Sequence, residues 1–263
     1  MKSSLSGTAS AQVEHVTPML NPEIVYSVDG VREFDRRIKA LGGIEGSVEY
    51  AVEPRIGGLC VELVYVNTRL SVASTRGDGY RGREITDNIK TILSVPLGLE
   101  RIHGDLPFPG LLVIWGVVYM ETKALLSLNR ERSRSGLSPF LDSKQAAQDS
   151  LEQKDPKITA KRPLEMFCCG VARIEGFTFK TYSEMMQGLQ SWGLRVNRPH
   201  IKVFSHVDDL VAHCRREVGG ETELFPFDTD GLVIKVNSLD LQSRLHVKSR
   251  NIPWALEFRF SSH

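Results

Sequence analysis

The chain has 263 residues, 41% of them hydrophobic and 25% charged, with 33 basic residues against 32 acidic ones for a net charge of +1. That length can bury a sizeable core in one large domain or two modest ones, and the near-zero charge excludes a surface that is basic throughout, so any nucleic-acid footprint must be local. No run approaches the roughly 18 apolar residues of a membrane span, so no membrane partner is expected, and four cysteines without metal-ligand spacing or disulfide density point to a reduced, cytoplasmic setting.

In chain order, residues 1–12 are small and polar, without the apolar stretch of a secretory signal, and are expected to form a flexible tail ahead of a body spanning 13–263. Residues 31–41 place apolar side chains at 31, 34, 38 and 41, the spacing of one helical face, and Gly42-Gly43 follows as a stop. Residues 50–52, 60–66 and 70–74 read as strands, the last two joined as a hairpin through Asn67-Thr68-Arg69. Arg76-Gly-Asp-Gly-Tyr-Arg-Gly82 is too glycine-rich for a regular element and reads as a loop, and residues 85–93 read as a helix ahead of Pro96.

Residues 111–120 form a nearly continuous apolar run, suited to a strand buried on both faces. Helix is expected at 121–129, a mobile basic loop at 130–138, strand at 164–171, helices at 183–192 and 207–217, and strands at 232–236 and 256–260. Strands and helices do not alternate strictly and several strands look hairpin-linked, which predicts an α+β fold with antiparallel sheets flanked by helices.

Five segments in fixed order then carry a resemblance. They are Glu53-Pro-Arg-Ile-Gly-Gly-Leu59, Ser74-Thr-Arg-Gly-Asp-Gly79 with Gly82 and Thr86-Asp-Asn88 beyond it, Leu112-Val-Ile-Trp-Gly-Val-Val118, the stretch from Phe140 to Pro156, and Asp228-Thr-Asp-Gly-Leu-Val-Ile-Lys-Val-Asn237 with Trp254-Ala-Leu-Glu-Phe-Arg-Phe260. Together they resemble the adenylation domain of NAD-dependent DNA ligases, a nucleotidyltransferase fold, over nearly the whole chain. The resemblance covers that domain alone: the family's N-terminal nicotinamide-gripping domain and its OB-fold, zinc, helix-hairpin-helix and BRCT parts have no counterpart in these residues.

What the resemblance implies for chemistry is specific. The family's first motif is Glu-x-Lys-x-Asp-Gly-Leu, whose lysine amine attacks the adenylyl phosphorus; here Arg55 stands at that lysine and Gly57 at the aspartate. A guanidinium stays protonated and its lone pairs are delocalised, so it can pair with a phosphate but not attack one. Val113, Trp115 and Val117 stand where the family has glutamate, arginine and glutamate, and valine offers no oxygen to a ribose or metal. Lys144 and Glu152 replace two arginines, and Asn21-Pro22 replaces Ser-Leu. Glu53, Arg76, Gly116, Asp230, Gly231 and Lys235 remain, with Arg259 in place of a lysine.

The resemblance therefore makes Glu53, Arg55, Arg76, Asp230, Lys235 and Arg259 the candidate nucleotide-binding set, with no confident catalytic residue and no metal ligand. Two roles are open to Arg55: holding a phosphate, or pairing with Glu53. Trp115 is expected to pack into the core, and Lys235 has the plain alternative of a lysine on a strand's solvent face. The leading expectation is a ligase-like domain that has lost covalent lysine adenylation and keeps nucleotide, DNA or protein-partner binding, with NAD or AMP held non-covalently and magnesium undecided. Its rivals are an active NAD-dependent DNA ligase component joining nicks in replication and repair, and a purely structural or regulatory module.

Overall fold

The computed structural model describes residues 11–218, 225–245 and 251–260. Most of the expected tail lies outside the described residues, but Gln12 does not belong to a tail: β1 (Gln12–Glu14) pairs antiparallel with the end of the glycine loop. After β2 (Asn21–Val25), α1 (Val28–Gly42) begins at Ser27, whose hydroxyl accepts from the Gly30 amide, and ends at Gly43 with φ 62°. The predicted helix and its glycine stop are both present, because only a residue free of a Cβ enters the left-handed region at no steric cost.

β3 (Tyr50–Ile56), β4 (Leu59–Val66) and β5 (Arg69–Thr75) extend the three predicted strands by a few residues, and Asn67 and Thr68, both at positive φ, close the expected hairpin. The end of the predicted loop is β6 (Arg81–Arg83), the partner of β1. The helix expected over 85–93 is a single turn, α2 (Thr86–Ile89), followed by shorter-range turns such as Ile92 N–H to Ile89 O. Its apolar spacing was real, since Ile85, Ile89 and Ile92 are all buried, but Asn88 directs its amide to Gln153 and Thr159, and the β-branched residues around it weaken a helix.

β7 (Leu111–Met120) leads to α3 (Thr122–Arg134), which runs through most of the predicted basic loop. The helix continues because Arg and Glu are good helix formers and Arg132 and Arg134 sit in the last turn, where cations suit the helix dipole. It stops at Gly136, φ 72°, with Leu137 N–H returning to Arg132 O and Gly136 N–H to Ser133 O. There follow α4 (Ser143–Leu151), α5 (Pro156–Thr159), β8 (Leu164–Ile174), α6 (Tyr182–Ser191), β9 (Lys202–Phe204), α7 (Val207–Val218), β10 (Thr229–Val236), α8 (Leu239–Arg244) and β11 (Asn251–Arg259). β9 gave no signal in the sequence, being three residues long.

The result is the predicted α+β architecture. One sheet has the order β2-β11-β10-β3-β9, antiparallel except where β2 runs parallel to β11, and a second, antiparallel sheet has the order β5-β4-β7-β8. Each sheet packs one face on helices. Tyr50, Val52, Ile234, Val236, Leu256 and Phe258 of the first sheet bury against Phe34 and Ile38 of α1 and Leu210 and Cys214 of α7. Val61, Leu63, Ile114, Val118 and Met166 of the second bury with residues of α2, α4 and α6. No described helix is long and apolar enough to cross a membrane.

His213 of α7 is 4% exposed and stacks on Phe204. Burial, with Lys202 and Arg216 nearby, lowers its pKa to about 4 despite Glu217 at 3.5 Å. The folded protein thus excludes a proton that the unfolded chain accepts below about 6.5, so stability is full above that pH and is lost as pH falls towards 4. We expect a loss of roughly 2–3 kcal/mol across that window, absent from His213→Gln, in urea unfolding at stepped pH; parallel profiles for the two proteins would disprove it.

Candidate functional site

Strand alternation decides which side chains can meet. β3, β10 and β11 lie side by side with Glu53 opposite Val233 and Val233 opposite Glu257, Lys235 opposite Ala51 and Ala255, and Gly231 opposite Arg259. Since the neighbouring positions face the helices, Glu53, Arg55, Lys235, Glu257 and Arg259 share the other face. Five charged groups on three adjacent strands thus look away from the core, towards the second sheet. Gly231 makes the register possible: a Cβ there would lie 2.3 Å from the Phe258 carbonyl oxygen.

Of the two roles left open for Arg55 by the sequence, pairing with Glu53 is not the one it takes. Its Nη1 donates to Asp230 Oδ1 at 2.7 Å and its Nε to Glu257 Oε2 at 3.0 Å. Arg259 completes the cluster, donating from Nη1 to Asp230 Oδ2 at 2.6 Å and from Nε to Glu257 Oε2 at 2.9 Å. Burial works against the charge on Arg55, but Glu257 and then Asp230 outweigh it and hold the guanidinium above its ordinary pKa. Arg55 is therefore a fixed cation with no nucleophilic form.

Glu53 belongs instead to Lys235. Lys235 is 7% exposed, which rules out the solvent-face alternative. Its ammonium donates to Glu53 Oε1 at 2.5 Å, to the Cys169 carbonyl at 2.8 Å and to the Tyr182 hydroxyl at 2.8 Å, and lies 4.3 Å from the Tyr182 ring centre. Tyr182 in turn donates to Glu53 Oε1 at 3.0 Å, and burial, followed by the Glu53 charge, pushes its phenol well above the usual range. Asn237 places this tyrosine: its backbone carbonyl accepts from the Tyr182 amide at 2.7 Å and its side-chain oxygen from the Ser183 amide at 3.0 Å.

The second sheet supplies the opposite wall with Cys60, Glu62, Trp115 and Val117, on the face turned from its own core. Trp115 and Val117 are half-buried there, so Trp115 is not the core residue expected, and β7 is not buried on both faces throughout. Residues ahead of β2 cover part of this wall: His15, its side chain fully buried, brings Nδ1 to 3.2 Å from Glu62 Oε2 and Nε2 to 2.9 Å from the Arg76 carbonyl. The Arg76 side chain reaches Asn21 Oδ1; desolvation raises the Cys60 thiol above its ordinary pKa, with the charges of Arg76 and Arg55 opposing that rise. Gly58 lets β3 and β4 join beside β7, for a Cβ would stand 2.4 Å from the Val118 carbonyl oxygen.

The structure thus gathers Glu53, Arg55, Asp230, Lys235 and Arg259 on or beside one face, with Arg76 across from them. Glu53, Asp230 and Glu257 answer Lys235, Arg55 and Arg259 one for one. Glu257 escaped the sequence reading although alternation with Arg259 could have found it. Tyr182 carried no sequence signal, since only tertiary folding brings α6 to β10.

Removing one partner of the buried pair leaves the other charge without compensation. We expect Lys235→Met to cost about 3–5 kcal/mol and Glu53→Gln/Lys235→Met to recover most of it. Chemical unfolding measures both, and a single-variant loss below about 1 kcal/mol, the surface-pair range, would contradict the assignment.

Residues 8–263 match the NAD-dependent DNA ligase adenylation domain family. A DNA ligase of Geotalea daltonii is 43% identical over 251 residues, covering 95% of this chain and 37% of that protein. A DNA ligase of Syntrophobacter fumaroxidans is 41% identical over 249 residues, with 95% and 37% covered. Among solved structures an archaeal ATP-dependent RNA ligase is similar, with a TM-score of 0.50 at 15% identity over 94% of this chain and 49% of that one; at that identity the likeness concerns the fold alone. The chain spans little more than a third of the length of the two DNA ligases, and the match over nearly all of its own length settles its family: it belongs to the NAD-dependent DNA ligase adenylation domains.

Proposed function

We propose that this domain binds an adenine nucleotide, AMP or NAD, without forming the covalent lysine adenylate. One observation carries the reading: the group at the nucleophile position is Arg55, fixed by Glu257 and Asp230. Covalent transfer needs an amine that can lose its proton and present a lone pair to the α-phosphorus, and a guanidinium doubly held by carboxylates does neither. Lys235 is no replacement as it stands, because all three ammonium protons have acceptors in Glu53, Tyr182 and the Cys169 carbonyl.

The residues present fit a nucleotide better than a protein-held metal. Arg55, Arg76 and Arg259 offer donors to phosphate oxygens, and Trp115 and Val117 offer an apolar wall to a base or ribose. Among the described residues no three histidine, cysteine, aspartate or glutamate side chains converge on a metal position. DNA or a protein is the further partner we propose for the nucleotide-loaded domain, by analogy with relatives named as DNA ligases. Arg132 of α3 contributes little to a DNA footprint, since it stacks 3.9 Å over the Phe140 ring and donates to the Ser138 carbonyl.

Incubation with adenylate-labelled NAD or with ATP, each with magnesium, followed by denaturation and intact-mass measurement, is expected to show no adduct, while calorimetry shows saturable AMP binding. An AMP adduct that survives denaturation would overturn the loss of covalent chemistry. Absence of heat with both AMP and NAD would leave a structural module.

A further inference from the structure

Asp230 stands apart from the other members of the Arg55 cluster. Glu257 accepts from the Nε atoms of both guanidiniums and is 17% exposed, whereas Asp230 takes one Nη1 on each of its oxygens and is 52% exposed. Glu257 therefore aims the two arginines from below, and Asp230 closes the gap between their outer ends. Two oxygens of one anion, each receiving a guanidinium at 2.6–2.7 Å, is also the arrangement by which a pair of arginines grips two oxygens of a phosphate.

We propose that Arg55 and Arg259 form a seat for a phosphate-class anion, a terminal phosphate or pyrophosphate group, and that the Asp230 carboxylate is its resident competitor rather than a ligand contact. This deepens the nucleotide reading and rests on it for the identity of the natural ligand. With Asp230 in place, two guanidiniums meet two carboxylates and the cluster is neutral, so an incoming anion meets no net attraction. Once Asp230 is displaced, the same two arginines face one carboxylate and carry a net positive charge.

The exchange requires little of the backbone. The Phe260 amide donates to the Asp230 carbonyl at 2.8 Å, which fixes the main chain. The ladder between β10 and β3 is irregular between Thr229 and Leu232, so Asp230 sits where the regular row of paired positions is interrupted, with its side chain half open to solvent. Rotation about its own side-chain bonds suffices to carry the carboxylate into solvent. The neighbouring Asp228 is exposed too, but its Oδ1 accepts from the Thr122 hydroxyl at 3.1 Å and touches neither arginine.

Inorganic pyrophosphate, which carries no base, tests the seat by calorimetry at constant ionic strength. Asp230→Asn keeps the shape of the side chain and removes its charge, and is expected to tighten pyrophosphate binding about tenfold, the equivalent of one charge-assisted hydrogen-bond competitor. Asp228→Asn, which removes the same charge nearby, is expected to leave the affinity at the wild-type value, and Asp230→Asn/Arg259→Gln to abolish the gain. Binding to Asp230→Asn no tighter than wild type, an equal gain from Asp228→Asn, or a gain that survives Arg259→Gln would each overturn the proposal. Failure of the nucleotide reading shows separately, as wild-type protein that binds neither AMP nor NAD.

Discussion

An ammonium with almost no access to water organises this molecule. Lys235 cannot be left unpaired, because an isolated buried charge costs far more than a domain's net stability can tolerate. Its three acceptors come from β3, β8 and α6, so satisfying it requires the two sheets and the helix that starts at Tyr182 to meet at one point. Glu53 and Tyr182 are bonded to each other as well, which makes the cluster a closed set. A hydrophobic interface could slide by a fraction of a residue at modest cost, whereas a directional network with one solution fixes the separation of the walls.

That fixed separation explains why the charges of the cleft sort into two groups with different freedom. Around Lys235 every donor is used and the residues are buried, so this end serves as structure. Around Arg55 and Arg259 one partner, Asp230, is half-open to solvent, and exposed pairs of this kind are worth little net energy. The chemistry available to the site follows from this gradient. Its deep end holds geometry, and its outer end holds two forked donors that share Asp230, the more exposed of their two acceptors.

The sequence disclosed the strands of the second sheet, the three central strands β3, β10 and β11 of the first, and the face of α1 because hydrophobic periodicity reports burial, and Val31, Phe34 and Ile38 are buried as their spacing demands. It misplaced the end of α3 because the run Arg130–Arg134 is polar, and polarity reports exposure and not the absence of a helix. The true stop was visible in Gly136. The candidate residues were found through a motif resemblance, yet their pairing was not, since whether Arg55 turns to Glu53 or to Glu257 depends on register between strands distant in sequence. His15 reaching Glu62 and Tyr182 reaching Lys235 are of the same kind: contacts over 47 and 53 residues that no local pattern encodes.

The motifs themselves mix two kinds of residue. Gly58 and Gly231 are steric necessities of the cleft walls, with a Cβ brought to 2.4 Å and 2.3 Å of a carbonyl oxygen, and they would be required by the fold whether or not any reaction occurred. Arg55, Trp115 and Val117 occupy positions where the backbone imposes no such demand, and there the chain departs from the family's pattern. Agreement at the glycines therefore speaks for the two-sheet architecture, and departure at the side chains speaks about chemistry. A motif match weighed as a whole conflates these, and a fold can persist around a site whose reacting groups have changed. Gly57 sits between the two cases: a Cβ would come 3.2 Å from the Asp228 carbonyl oxygen, close enough that restoring an aspartate there requires the β10 approach to yield by a few tenths of an ångström. Any side chain at residue 57 is thus bound up with the position of Asp228, and through it with the entry of the strand that carries Asp230 and Lys235.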